Sequence, residues 1–91
     1  MTAITTLPGL ALLPRVAAIC AARLGVDAAQ VTPAALLTDD LNLDALDAID
    51  VVIALEDAFG IEITDLELTA LAFDPQTVAD LLALLHAKGA L

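Results

Sequence analysis

Fifteen residues between Asp44 and Gly60, ALDAIDVVIALEDAF, carry the pattern that most restricts the fold. Ala48, Val51, Val52, Leu55 and Phe59 recur at spacings of three and four, which places them on one side of a helix and on no single face of a strand. Asp44 suits the N-cap, because its side-chain oxygen can accept from the free N–H groups of the first turn. Asp47 adds an acid where the helix dipole is positive, and Gly60 supplies the stop. A helix over residues 45–59 is therefore expected, with its apolar side in a core.

Turning that helix at about 100° per residue separates the remaining positions. Asp47, Asp50 and Asp57 fall within an arc of roughly 80°. Leu46, Ile49 and Ile53 lie between this acidic stripe and the core side. An apolar ridge beside carboxylates has the form of a recognition surface: acids attract a basic partner and the ridge supplies contact area. Alternatively the ridge packs under the preceding loop, where Leu41 and Leu43 are available to cover it.

Other helices flank this one. Pro14 suits a helical first turn, and Val16, Ile19, Cys20 and Leu24 recur at helical spacing up to Gly25. Residues 1–13 read as a tail or a short extra turn, and residues 14–91 as one helical domain. The long connection VDAAQVTPAALLTDDLNLD holds Val26, Val31, Leu36, Leu37, Leu41 and Leu43, which should pin it across the helices. After GIEI, a short third helix is expected with Leu68 and Leu71 inward. The last helix is capped either by Asp74 with Pro75 or by Thr77 with Asp80, and it presents Val78, Leu81, Leu82 and Leu85. The chain is 60% hydrophobic but only 2% aromatic, so the core is aliphatic. The expected architecture is all-α: a small four-helix bundle of three longer helices and one short one, with a long loop between the first two.

The net charge of −10, three basic residues against thirteen acidic, argues against nucleic acid and anionic membrane surfaces as partners and favours a basic protein. Acids that merely keep an apolar domain soluble are the plainer alternative. Cys20 is the single cysteine and permits no internal disulfide. The N-terminal stretch lacks a basic region before its apolar run and is too short and proline-broken to span a bilayer. A cytoplasmic monomer is the expectation. Asp40, Asn42 and Asp44 open like a calcium loop, but Ala45 and Val51 stand where its glycine and bidentate glutamate belong, so no metal site is expected. His86 is the single histidine and the chain has no serine, which leaves catalysis little footing.

The ordered set DALDAIDVVIALEDAFGIEI strongly resembles the acyl carrier protein family, and the likeness runs over about residues 15–86. Such proteins carry D-S-L at the start of their second helix and an E-D/E-x-F-G-I-x-I run at its end. Here Asp44-Ala45-Leu46 and Glu56 through Ile63 hold those places. The resemblance implies a four-helix bundle that shuttles acyl intermediates as thioesters of 4′-phosphopantetheine in fatty acid or related lipid and polyketide biosynthesis. It implies no enzyme activity in the chain. Asp44 and Leu46 would flank the attachment position. Asp47, Asp50, Glu56 and Asp57, with Leu46, Ile49 and Ile53, would meet basic surfaces of the phosphopantetheinyl transferase and of acyl-processing enzymes. Val52, Leu55 and Phe59 would line an acyl cavity. The chain departs at Ala45, whose methyl cannot carry a phosphodiester, and at Asn42, where the family often has glycine. Two explanations of Ala45 follow. It is an engineered Ser→Ala change that keeps a carrier unmodified, or the protein is a natural acidic adaptor that binds a basic partner without a prosthetic group. The retained flanks favour the first.

Overall fold

The computed structural model describes residues 8–90. Four helices carry the fold: α1 (Leu13–Leu24), α2 (Ala45–Phe59), α3 (Asp65–Phe73) and α4 (Val78–Ala87). The all-α bundle with a long first connection is thus observed. The third helix is the shortest, at nine residues against ten in α4, which ends where Gly89 turns with φ 82° and Ala90 N–H donates back to Leu85 O. Of the segment 1–13, residues 1–7 lie outside the described residues. A 3-10 turn over Leu10–Leu12 runs straight into α1 and buries Leu12.

The core is aliphatic. Val16 and Cys20 from α1, Leu55 from α2, and Val78, Leu81, Leu82 and Leu85 from α4 are almost wholly buried. Gly9 holds the N-terminal turn against α4. Its φ is 73°, and a Cβ there would lie 2.3 Å from the Leu82 carbonyl oxygen, so a larger residue is excluded on both counts.

The connection between α1 and α2 is packed along its length. Val31, Ala35, Leu37, Leu41 and Leu43 enter the core. The backbone of this loop also completes α4. Val78 N–H donates to Ala35 O and Ala79 N–H to Pro33 O, both at 2.9 Å, which satisfies donors that a helix N-terminus leaves without partners. Thr77, rather than Asp74, is the α4 N-cap: its Oγ1 accepts from Asp80 N–H and the Asp80 carboxylate accepts from Thr77 N–H. Asp74 instead ends α3. An isolated antiparallel bridge between Leu36 and Thr77 fastens the loop at the same point.

Two local features of the loop aim the chain into α2. The Asp40 carboxylate accepts from Leu36 N–H at 2.7 Å and closes a turn. Asn42 then adopts a left-handed conformation with φ 59°, a geometry that asparagine tolerates better than most residues. The D-x-N-x-D alternation therefore has local work: a turn, a left-handed step and, at Asp44, a helix cap. Among the described residues no three His, Cys, Asp or Glu side chains come together to hold a metal ion.

Candidate functional site

The start of α2 is built by its cap. Asp44 is extended, and its Oδ1 accepts from Asp47 N–H at 2.8 Å. Ala45 is the first helical residue and is exposed, so a methyl group stands in solvent at the positive end of the helix dipole.

Beyond it the two sides of α2 separate. Ala48, Val51, Val52 and Leu55 are buried. Leu46 is 78% exposed, Ile53 52% and Ile49 46%. The loop does not cover them: Leu41 and Leu43, the residues available for that purpose, are buried in the core cluster instead. An apolar ridge thus lies open along one flank of the helix.

The acids divide by partner. Asp50 faces Arg23 of α1, Oδ1 to Nη1 3.4 Å, with both side chains about half exposed at 51% and 49%. Asp57 is exposed and shares with Arg23 a shallow groove between α1 and α2, floored by Ala54 and walled by Ala18, Ala22 and Ala58. Asp47 is half-buried in the first turn. Glu56 is drawn to another task. Its Oε2 accepts from Ile63 N–H at 2.8 Å and anchors the segment that follows Gly60. The three basic side chains are all engaged within the chain. Arg15 donates to Ala58 O at 3.0 Å and lies 4.4 Å from the centre of the Phe59 ring, Arg23 meets Asp50, and Lys88 meets Glu67 at 2.8 Å. On the helical wheel Asp57 and Asp50 adjoin the ridge, and Asp50 shares its charge with Arg23.

A narrow apolar space lies beneath α2. A cavity of about 10 Å³ is lined by Cys20, Leu37, Leu43, Ala48, Val51, Val52, Leu71 and Leu81. That is room for about one water, and the walls are apolar. Of the three residues expected along an acyl space, Val52 lies on this wall. Leu55 is fully buried elsewhere in the core, and Phe59 is half-buried beneath Arg15. Burial pushes the Cys20 thiol up to about 11, so it stays protonated, and His86 is on the surface.

Sequence patterning did not single out Leu66 and Phe73, which are 81% and 72% exposed on α3. Their apolar character pointed inward; the i, i+7 spacing that puts them together on the outer face was the available signal.

The residues present do not fit covalent attachment of a phosphopantetheine arm. The chain has no serine, and position 45 offers no oxygen. The hydroxyls of Thr64 and Thr77 cap α3 and α4, and that of Thr69 donates to Asp65 O.

Residues 14–85 match the family described as "Phosphopantetheine attachment site". The acyl carrier protein of Thermosynechococcus vestitus is 42% identical over 77 residues, 85% of this chain and 90% of that protein. The acyl carrier protein of Helicobacter pylori (strain G27) is 48% identical over 56 residues, 62% of this chain and 72% of its own length. That of Rubrobacter xylanophilus is 46% identical over 56 residues, 62% and 69% of the two chains. With the helical bundle, the capped start of α2 and these relatives in agreement, the chain belongs to the acyl carrier protein family, a family of carriers rather than enzymes.

Proposed function

We propose that α2 is the docking and attachment element of an acyl carrier, and that Ala45 occupies the place of the serine that would bear 4′-phosphopantetheine. The observation that carries this is the arrangement at the head of α2. A capped, solvent-exposed position 45 stands next to the open ridge of Leu46, Ile49 and Ile53, and carboxylates border that ridge. Asp47, Asp50 and Asp57 attract the basic faces of a phosphopantetheinyl transferase and of acyl-processing enzymes, and the ridge supplies the contact that remains once charge has oriented the pair. Glu56 contributes negative potential while one of its oxygens holds Ile63. The pathway is fatty acid or related lipid or polyketide biosynthesis, in the cytoplasm. No helix among the described residues is long and apolar enough to cross a membrane.

The test is restoration of the hydroxyl. Ala45→Ser protein is incubated with coenzyme A and a broad-specificity bacterial phosphopantetheinyl transferase, and its intact mass is measured. One arm's mass is gained by Ala45→Ser and none by the Ala45 chain. A folded Ala45→Ser protein that stays unmodified, while a control carrier is loaded in the same mixture, refutes the proposal.

A natural adaptor without a prosthetic group is the second reading, favoured by the methyl at 45 itself. A source gene that encodes serine at that codon excludes it.

A further inference from the structure

We infer that the chain, with alanine at 45, is a dead-end competitor: it occupies the carrier-docking face of a basic phosphopantetheinyl transferase and leaves unchanged. This rests on the docking role of α2 proposed above.

The groups that would make contact and the group that would react are separable here. Contact is offered by Leu46, Ile49 and Ile53, and attraction by Asp47, Asp50 and Asp57. Their placement depends on the Asp44 cap, which bonds Asp47 N–H, and on the buried side of α2, neither of which involves the position-45 side chain. The reaction alone needs an oxygen at 45, and Ala45 has none. Alanine favours a helix at least as well as serine, so α2 is presented without loss.

The absent oxygen is an attacking atom, and an attacking atom contributes chiefly in the transition state. Its removal abolishes turnover while leaving ground-state binding nearly intact. At most one hydrogen bond to the partner is forgone, a change of up to about tenfold in affinity. Charge supports the choice of occupant. The net charge is −10, and among the described residues Arg23 pairs with one acid of α2, Asp50, so Asp47 and Asp57 carry most of the charge that suits a cationic surface.

The experiment is a steady-state assay of the transferase with coenzyme A and the Ala45→Ser protein as carrier substrate, to which the Ala45 chain is added. The expected result is inhibition competitive with the Ala45→Ser protein, with an inhibition constant within about tenfold of that protein's KM. Inhibition weakens as salt rises, since the attraction is between exposed charges. An Ile53→Ala, Asp50→Asn version of the Ala45 chain, shown to be folded by its helical circular dichroism, inhibits less. If Ala45→Ser is loaded but the Ala45 chain does not slow it at ten times its concentration, or slows it without competing, the inference falls and the carrier proposal stands. If Ala45→Ser is not loaded at all, the carrier proposal falls and takes this one with it.

Discussion

Leu55 and Ile53 are two residues apart on α2 yet have opposite surroundings: Leu55 is 0% exposed and Ile53 52%. Truncating each to alanine separates the face that holds the fold from the face offered outward. Leu55→Ala removes a fully buried side chain and leaves a cavity, which costs about 3 kcal/mol or more. Helix propensity offsets little of this, since leucine and alanine are close on that scale. Ile53→Ala gives up about half of the burial available to an isoleucine, roughly 1 kcal/mol. About 0.5 kcal/mol returns through alanine's better propensity. With a urea slope of about 1 kcal/mol/M for a small domain, the midpoints fall by about 3 M and about 0.5 M respectively. Total stability for such a domain is about 5–15 kcal/mol, so Leu55→Ala removes more than half of it at the low end of that range and about a fifth at the high end. Urea titrations followed by circular dichroism measure both. A midpoint loss for Ile53→Ala as large as that for Leu55→Ala would overturn the face assignment, and with it the docking role proposed for the ridge.

Gly9→Ala should cost about 2 kcal/mol or more, read as a lower thermal midpoint, because it combines a left-handed φ with a backbone clash at Leu82 O. Thr77→Ala removes the α4 cap and should cost about 1 kcal/mol by urea titration, with Thr77→Ser recovering most of it. The hydrogen bond from Lys88, with that from Thr64 N–H, holds the Glu67 carboxyl below its usual range. A depressed carboxyl stabilises the fold above its unfolded pKa and loses that contribution as pH falls through the folded value. The parent chain should therefore exceed Glu67→Gln by under about 1 kcal/mol at pH 7, because the pair is partly exposed, and the gap should close as pH falls below the usual carboxylate range. A gap that persists in acid would assign the effect to packing.

The sequence displayed α2 because three local signals coincide there: the 3.6-residue period, the Asp44 cap and the Gly60 stop. Its exposed ridge was also legible, since the helical wheel alone separates Leu46, Ile49 and Ile53 from Val52 and Leu55. Whether the loop covered that ridge was not, because it depends on which way Leu41 and Leu43 face, and both turn into the core. Interactions across elements were likewise hidden. Arg15 reaches Ala58 over 43 residues, and nothing local to either position announces the contact. Glu56 read as one more surface acid, yet Gly60 reverses the chain and brings Ile63 N–H to it. The Thr64–Glu67 capping box of α3 is written in the sequence as T-x-x-E, but the apolar period beside it is too weak to mark it as a helix start.

The arrangement of charge on α2 bears on the plainest account of these acids, that they serve solubility. Asp57 sits in the last turn of α2, where the helix dipole disfavours a carboxylate, and Arg15 offsets this locally by placing its guanidinium on the Ala58 carbonyl. Acids needed only for solubility could lie anywhere on the surface without that cost. Nor would solubility set Leu46, Ile49 and Ile53 in water beside them, since exposed aliphatic side chains oppose it. The two features work against each other in a protein that has only to stay dissolved. They work together in one that must attract a basic surface and then hold it through apolar contact.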